Sequence, residues 1–138
     1  MLAEQRAYEL LTNNQDLVGF LDEIRGKQMS FPYIFVGTPN DTFHATENAP
    51  WIRITRTPGE WFDSADNERI IDYPRLQIDF WIEKEKLPEL GKLESMIYQT
   101  MHNANFERYY VEHAEDPDTP TLTMVQGNYE GFIPEEEL

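Results

Sequence analysis

Leu76-Gln77-Ile78-Asp79-Phe80-Trp81-Ile82 alternates without a break, Leu76, Ile78, Phe80 and Ile82 on one side and Gln77, Asp79, Trp81 and Glu83 on the other. Strict period-two alternation is the pattern of a strand with one face buried. The next apolar signal has a different period. Pro88 stands where a first helical turn tolerates it, and Leu90, Leu93, Ile97, Met101 and Ala104 then fall on one helical face. Lys92, Glu94 and Gln99 turn away from that face, and Gly91 weakens the helix only slightly. A strand with one apolar face, followed by a helix with one apolar stripe, predicts that the two bury each other.

Upstream, Trp51 to Thr57 alternates as well, Ile52 and Ile54 against Arg53 and Thr55, and Pro58-Gly59 is expected to end that strand. The connection from Gly59 to Tyr73 is too long for a tight hairpin turn. It is either a loop or a two-stranded arm with Ser64-Ala65-Asp66-Asn67 at its tip. Phe31 to Val36 reads as a short strand or an extended entry segment, and Gly37 to Pro50 as a polar loop. At the N-terminus, Leu2, Ala7, Leu10 and Leu11 belong to a helix interrupted by Asn13-Asn14. Asp16 is expected to cap a second helix carrying Leu17, Phe20, Leu21 and Ile24, and Gly26 to stop it.

Downstream, Phe106 to His113 reads as a strand with Tyr109 and Val111 on one side and Tyr110 and Glu112 on the other. Asp116-Pro117-Asp118-Thr119-Pro120 is a turn, and Thr121 to Gly127 a last strand. The resulting class is α+β, a mainly antiparallel sheet covered on one face by helices. Residues 1–133 are expected to form a single domain, and 134–138 a loose acidic tail.

The chain has 138 residues, of which 40% are hydrophobic and 13% aromatic, enough to supply a sizeable core. No run approaches the roughly 20 apolar residues of a membrane-spanning helix. With no cysteine there is neither a disulfide framework nor a thiolate metal site. The formal net charge is −15, and from Glu94 onward Arg108 is the only base. Such a surface repels phosphates and disfavours direct nucleic-acid binding. It serves solubility, or an anionic wall past which DNA slides, or a mimic of DNA.

Candidates for chemistry are few. His44, His102 and His113 are far apart in sequence, and the acids Glu112, Glu115 and Asp116 lie beside a turn, the usual place of a solvated surface. The glycines are isolated, and neither a cysteine nucleophile nor a Gly-x-Ser-x-Gly elbow is present. The expectation is a protein that is not an enzyme, with no catalytic residues, no metal and no cofactor. The aromatics say more. Trp61-Phe62 sits in the long connection, where a monomer has little core for it, and with Asp63 and Arg69 it forms a candidate interface. Trp81 lies on the polar side of its strand and points to a second packed layer or a subunit contact; it is carried as the fifth interface candidate.

Three features together resemble a known family: the helical start leading into Trp51-Ile52-Arg53-Ile54-Thr55, the strand Leu76–Ile82 running into an amphipathic helix, and Asp116-Pro117-Asp118-Thr119 before a Thr-rich last strand. The family is that of small morphogenesis proteins of phages and prophages of Gram-positive bacteria, similar in layout to siphophage tail terminators. The resemblance implies a structural protein of the head–tail neck or tail terminus, in a ring commonly of six subunits, with other tail or connector proteins as partners. It implies DNA only as passing cargo, no membrane, and residence in the host cytoplasm during assembly and then in the virion. This chain departs from the pattern in its acidity and in its longer loop from Gly37 to Pro50. The rival from another class is an acidic DNA mimic that inhibits a host nuclease.

Overall fold

The computed structural model describes residues 1–65 and 68–134, and side chains outside 59–70. Two helices open the chain, α1 (Ala3–Thr12) and α2 (Gln15–Arg25). The Gln5 side chain accepts from the Leu2 backbone N–H at 3.1 Å and closes the start of α1. The cap of α2 is Asn14, not Asp16: its side-chain oxygen accepts from the Leu17 N–H at 3.2 Å, leaving Asp16 in the first turn beside the helix dipole. Gly26 ends α2 at φ 82°, a left-handed conformation that costs glycine nothing.

Strands β1 (Ile34–Val36), β2 (Trp51–Ala65) and β3 (Glu68–Glu83) follow, then α3 (Leu87–His102), β4 (Phe106–Glu115), β5 (Leu122–Gly131) and β6 (Ile133–Pro134). The sheet order is β1-β2-β3-β5-β4 with β6 beside β3; β1 runs parallel to β2 and the other pairs are antiparallel. Register explains the core. Ile52 pairs with Phe80 and Ile54 with Ile78, while Phe80 pairs with Val125 and Leu76 with Tyr129, so one continuous apolar face forms. Leu90, Leu93, Ile97 and Met101 of α3 pack into the same cluster, with Ala7, Leu11, Leu17 and Leu21 of the first two helices. Gly131 is required by close approach, because a Cβ there would lie 2.6 Å from the Phe106 ring that packs over it.

Several boundaries differ from the sequence reading, each for a local reason. Pro58-Gly59 does not end β2: the pairing register shifts between Thr57 and Trp61, and a missing N–H is tolerated at such an irregularity. The connection from Gly59 to Tyr73 is accordingly a two-stranded ladder, while Asp66 and Asn67 of its expected tip lie outside the described residues. In β4 a shift between Arg108 and Tyr110 takes Tyr109 out of the alternation. Strand β5 extends four residues past the expected Gly127, and Pro134, assigned to the tail, pairs with Ile71. Residues 135–138 of that tail lie outside the described residues.

Candidate interaction surfaces

The face of the sheet turned away from the helices is built in rows. At one end Trp51 and Trp81 face each other across β2 and β3, their rings stacked at 3.9 Å and 6°. The loop from Gly37 to Pro50 folds onto them: Trp51 donates its indole N–H to the Ala45 carbonyl at 3.1 Å, and Phe43 meets the Trp51 ring at 5.2 Å. Trp81 donates to Asp116 Oδ2 at 3.1 Å, while Asp116 Oδ1 accepts from the Asp118 N–H at 3.0 Å. The Asp-Pro turn is thereby tied to the Trp81 indole. Trp81 is 2% exposed and has no surface to offer another subunit, so its place among the interface residues is corrected: it anchors a second packed layer within the chain.

Arg25 fastens this layer to α2. Its guanidinium donates to the carbonyls of Asn48, Pro50 and Pro32 and lies 5.1 Å from the Tyr33 ring centroid. Burial lowers its pKa, a shift opposed by the charge of Asp22. An open groove of about 390 Å³ remains at the rim, lined by Phe31, Phe35, Pro39, Phe43 and His44 among others.

The middle row is ionic. Asp79 is fully buried and accepts from Arg53 at 2.8 Å and from Gln77 at 3.0 and 3.1 Å. Arg53 also lies 4.9 Å from the Trp81 ring centroid, joining this row to the aromatic one.

The far end of the face leads to the arm. Trp61 pairs with Tyr73, Phe62 with Asp72, Asp63 with Ile71, and Ser64 with Arg69. Beyond Ile71 the two strands pair only with each other among the described residues. The four candidates Trp61, Phe62, Asp63 and Arg69 thus share one ladder, and their side chains lie outside the described set. Where the arm leaves the sheet, Tyr73 and Phe132 meet edge to face at 5.9 Å, and Arg75 lies 5.5 Å from the Tyr109 centroid while bonding Glu130 at 3.0 Å. These groups line an open cleft of about 500 Å³. Sequence reasoning missed it, because the bulge that frees Tyr109 and the short β6 that brings Phe132 near leave no periodic trace.

On the helix side, α3 is fastened to β4 by two His–carboxylate pairs, His102 Nδ1 to Glu107 Oε2 at 2.6 Å and His113 Nε2 to Glu94 Oε1 at 2.7 Å. Tyr98 donates to the other Glu107 oxygen at 2.8 Å. The His102 and Tyr98 hydrogen bonds hold the Glu107 carboxyl below its ordinary range, and the same bond raises the Tyr98 phenol. The neighbouring charge of Glu112 raises Tyr110. Among the described residues, no three His, Asp or Glu side chains converge as metal ligands. No helix among them is long and apolar enough to cross a membrane.

No protein family matches the chain, and no curated protein matches it. Among solved structures, a chain described as "Virion of native gene transfer agent (GTA) particle" superposes with a TM-score of 0.65 at 7% identity, covering 96% of this chain and 94% of that one. The likeness establishes a shared fold over nearly the whole of both chains.

Proposed function

We propose that this chain is a structural component of a phage-type virion, acting at the head–tail neck or the tail terminus, where it forms or joins a ring. The observation that supports this reading is the end-to-end correspondence of fold with a chain from a gene transfer agent virion. The physical layout is compatible with it. A ring closes through heterologous contacts, which need two unlike patches on each subunit. The β2–β3 arm, carrying Trp61 and Phe62, supplies one, and the sheet face or edge of the next subunit the other. In this reading the surplus of acids, −15 per chain, faces solvent or a lumen through which DNA passes without sticking. The protein performs no catalysis, assembles in the host cytoplasm and leaves in the particle.

The test is inactivation of the gene in the phage or prophage that encodes it, followed by electron microscopy of the lysate. A tail-terminus role gives tails of uncontrolled length; a neck role gives filled heads and finished tails that remain apart. Normal infectious particles would overturn the assignment.

A further inference from the structure

The sheet ends in two very unequal edges. Strand β1 offers three residues, whereas β4 offers ten and is paired only with β5 among the described residues. A long free edge presents a row of backbone donors and acceptors that can pair with another chain. Tyr109, Tyr110 and Val111 are 54%, 48% and 37% exposed, an apolar run in the middle of that edge strand. Through Tyr109 the edge is continuous with the cleft where Tyr73 meets Phe132.

We propose that the β4 edge accepts an extended basic segment of a partner protein by strand addition, with one apolar side chain of that segment packed on Tyr109 at the mouth of the cleft. Backbone pairing along an edge supplies affinity, and pockets for alternate side chains supply selection. Charge decides the occupant. On strand β4, Glu107 meets His102 and Glu115 meets Lys84, whereas Glu112 accepts from the neutral Tyr110 hydroxyl and adds its charge to a chain of net −15. The one Arg or Lys of the strand, Arg108, lies 4.9 Å from the Tyr98 centroid. A second copy of this chain would bring a further −15 to an acidic edge, whereas a segment bearing Lys or Arg gains from every approach. The inference goes beyond the virion reading and does not depend on ring formation.

The experiment titrates the purified full chain with a labelled peptide alternating Lys with Val and Leu, following anisotropy and hydrogen exchange over residues 106–115. Two comparison peptides replace Lys by Glu, or place Pro at alternate positions to remove backbone donors. Saturable binding that protects residues 106–115 is expected, with each comparison peptide weaker by about tenfold or more. Tyr109→Ala should weaken binding by about tenfold, as for an interface anchor. Val111→Lys provides a second variant if the first does not fold. Equal binding of the proline peptide would reduce the effect to charge adhesion and overturn strand addition, as would protection confined to other strands. Protection of residues 106–115 that rises with protein concentration alone would assign the edge to a second copy instead.

Discussion

Asp79 carries a carboxylate in the centre of the sheet with none of its side chain in water. A buried charge is tolerated only when paired and hydrogen-bonded, and Arg53 with Gln77 meets both conditions. Asp79→Ala should destabilise the protein by about 3 kcal/mol, the low end for breaking a buried pair, because Arg53 keeps 25% of its side chain exposed. Denaturant unfolding checks this; a change within the error of the measurement would mean that Arg53 finds water at no cost. Glu107 illustrates the opposite setting, a surface carboxylate stabilised by donors. Its folded pKa lies below its unfolded one, so its contribution is present above the unfolded value, about 4.3, and is lost as pH falls through the folded value. The stability advantage of the wild type over Glu107→Gln should therefore hold at neutral pH and shrink as pH drops below about 4. A constant difference across that range would disconnect Glu107 from acid unfolding.

At the scale of elements, capping decides where the second helix begins. Asn14 holds the Leu17 amide, while Asp16 lies one residue inside the helix. Asn14→Ala should cost about 1 kcal/mol, more than Asp16→Ala, and thermal melts of the two variants distinguish them. An equal loss would mean that the dipole interaction of Asp16 matches the cap. Both residues are good caps in sequence, and the choice between them is made by the geometry of the Asn13-Asn14 break. The same division runs through the fold. The strand from Leu76 to Ile82 and the helix face Leu90, Leu93, Ile97 and Met101 were legible, because each buries one periodic face against the other. The second layer was legible only as an alternative for Trp81, since Phe43, Ala45 and Ala49, which pack with Trp51 and Leu122 in it, come from a loop without period. Strand β2 could not be followed through Pro58-Gly59, where an irregularity in pairing absorbs residues that ordinarily end a strand. The cleft at Tyr73, Tyr109 and Phe132 was not legible at all, being assembled from three strands that meet only in the folded sheet.

At the scale of the whole molecule, charge would set the terms on which copies meet in the proposed ring. Among the described residues, several bases are paired within the chain: Arg25 with Asp22, Arg53 with Asp79, Arg56 with Glu4, Arg75 with Glu130 and Lys84 with Glu115. What remains outward is mostly acid, and a six-membered ring would concentrate a charge of about −90. Salt acts on that repulsion directly, since the screening length falls from about 10 Å at 0.1 M to about 3 Å at 1 M. In the proposed ring, contacts through the arm would be anchored by the aromatic Trp61 and Phe62 and should lose little to the same salt. Self-association should therefore increase as ionic strength rises, and light scattering at fixed protein concentration from low to molar sodium chloride measures it. Binding of a basic segment at the β4 edge should weaken over the same range, so the two surfaces are separable in one titration series. The double substitution Trp61→Ala, Phe62→Ala should suppress the salt-promoted species while leaving the melting temperature of the monomer nearly unchanged. Association that falls with salt instead would place ion pairs, rather than the aromatic arm, at the contact between subunits.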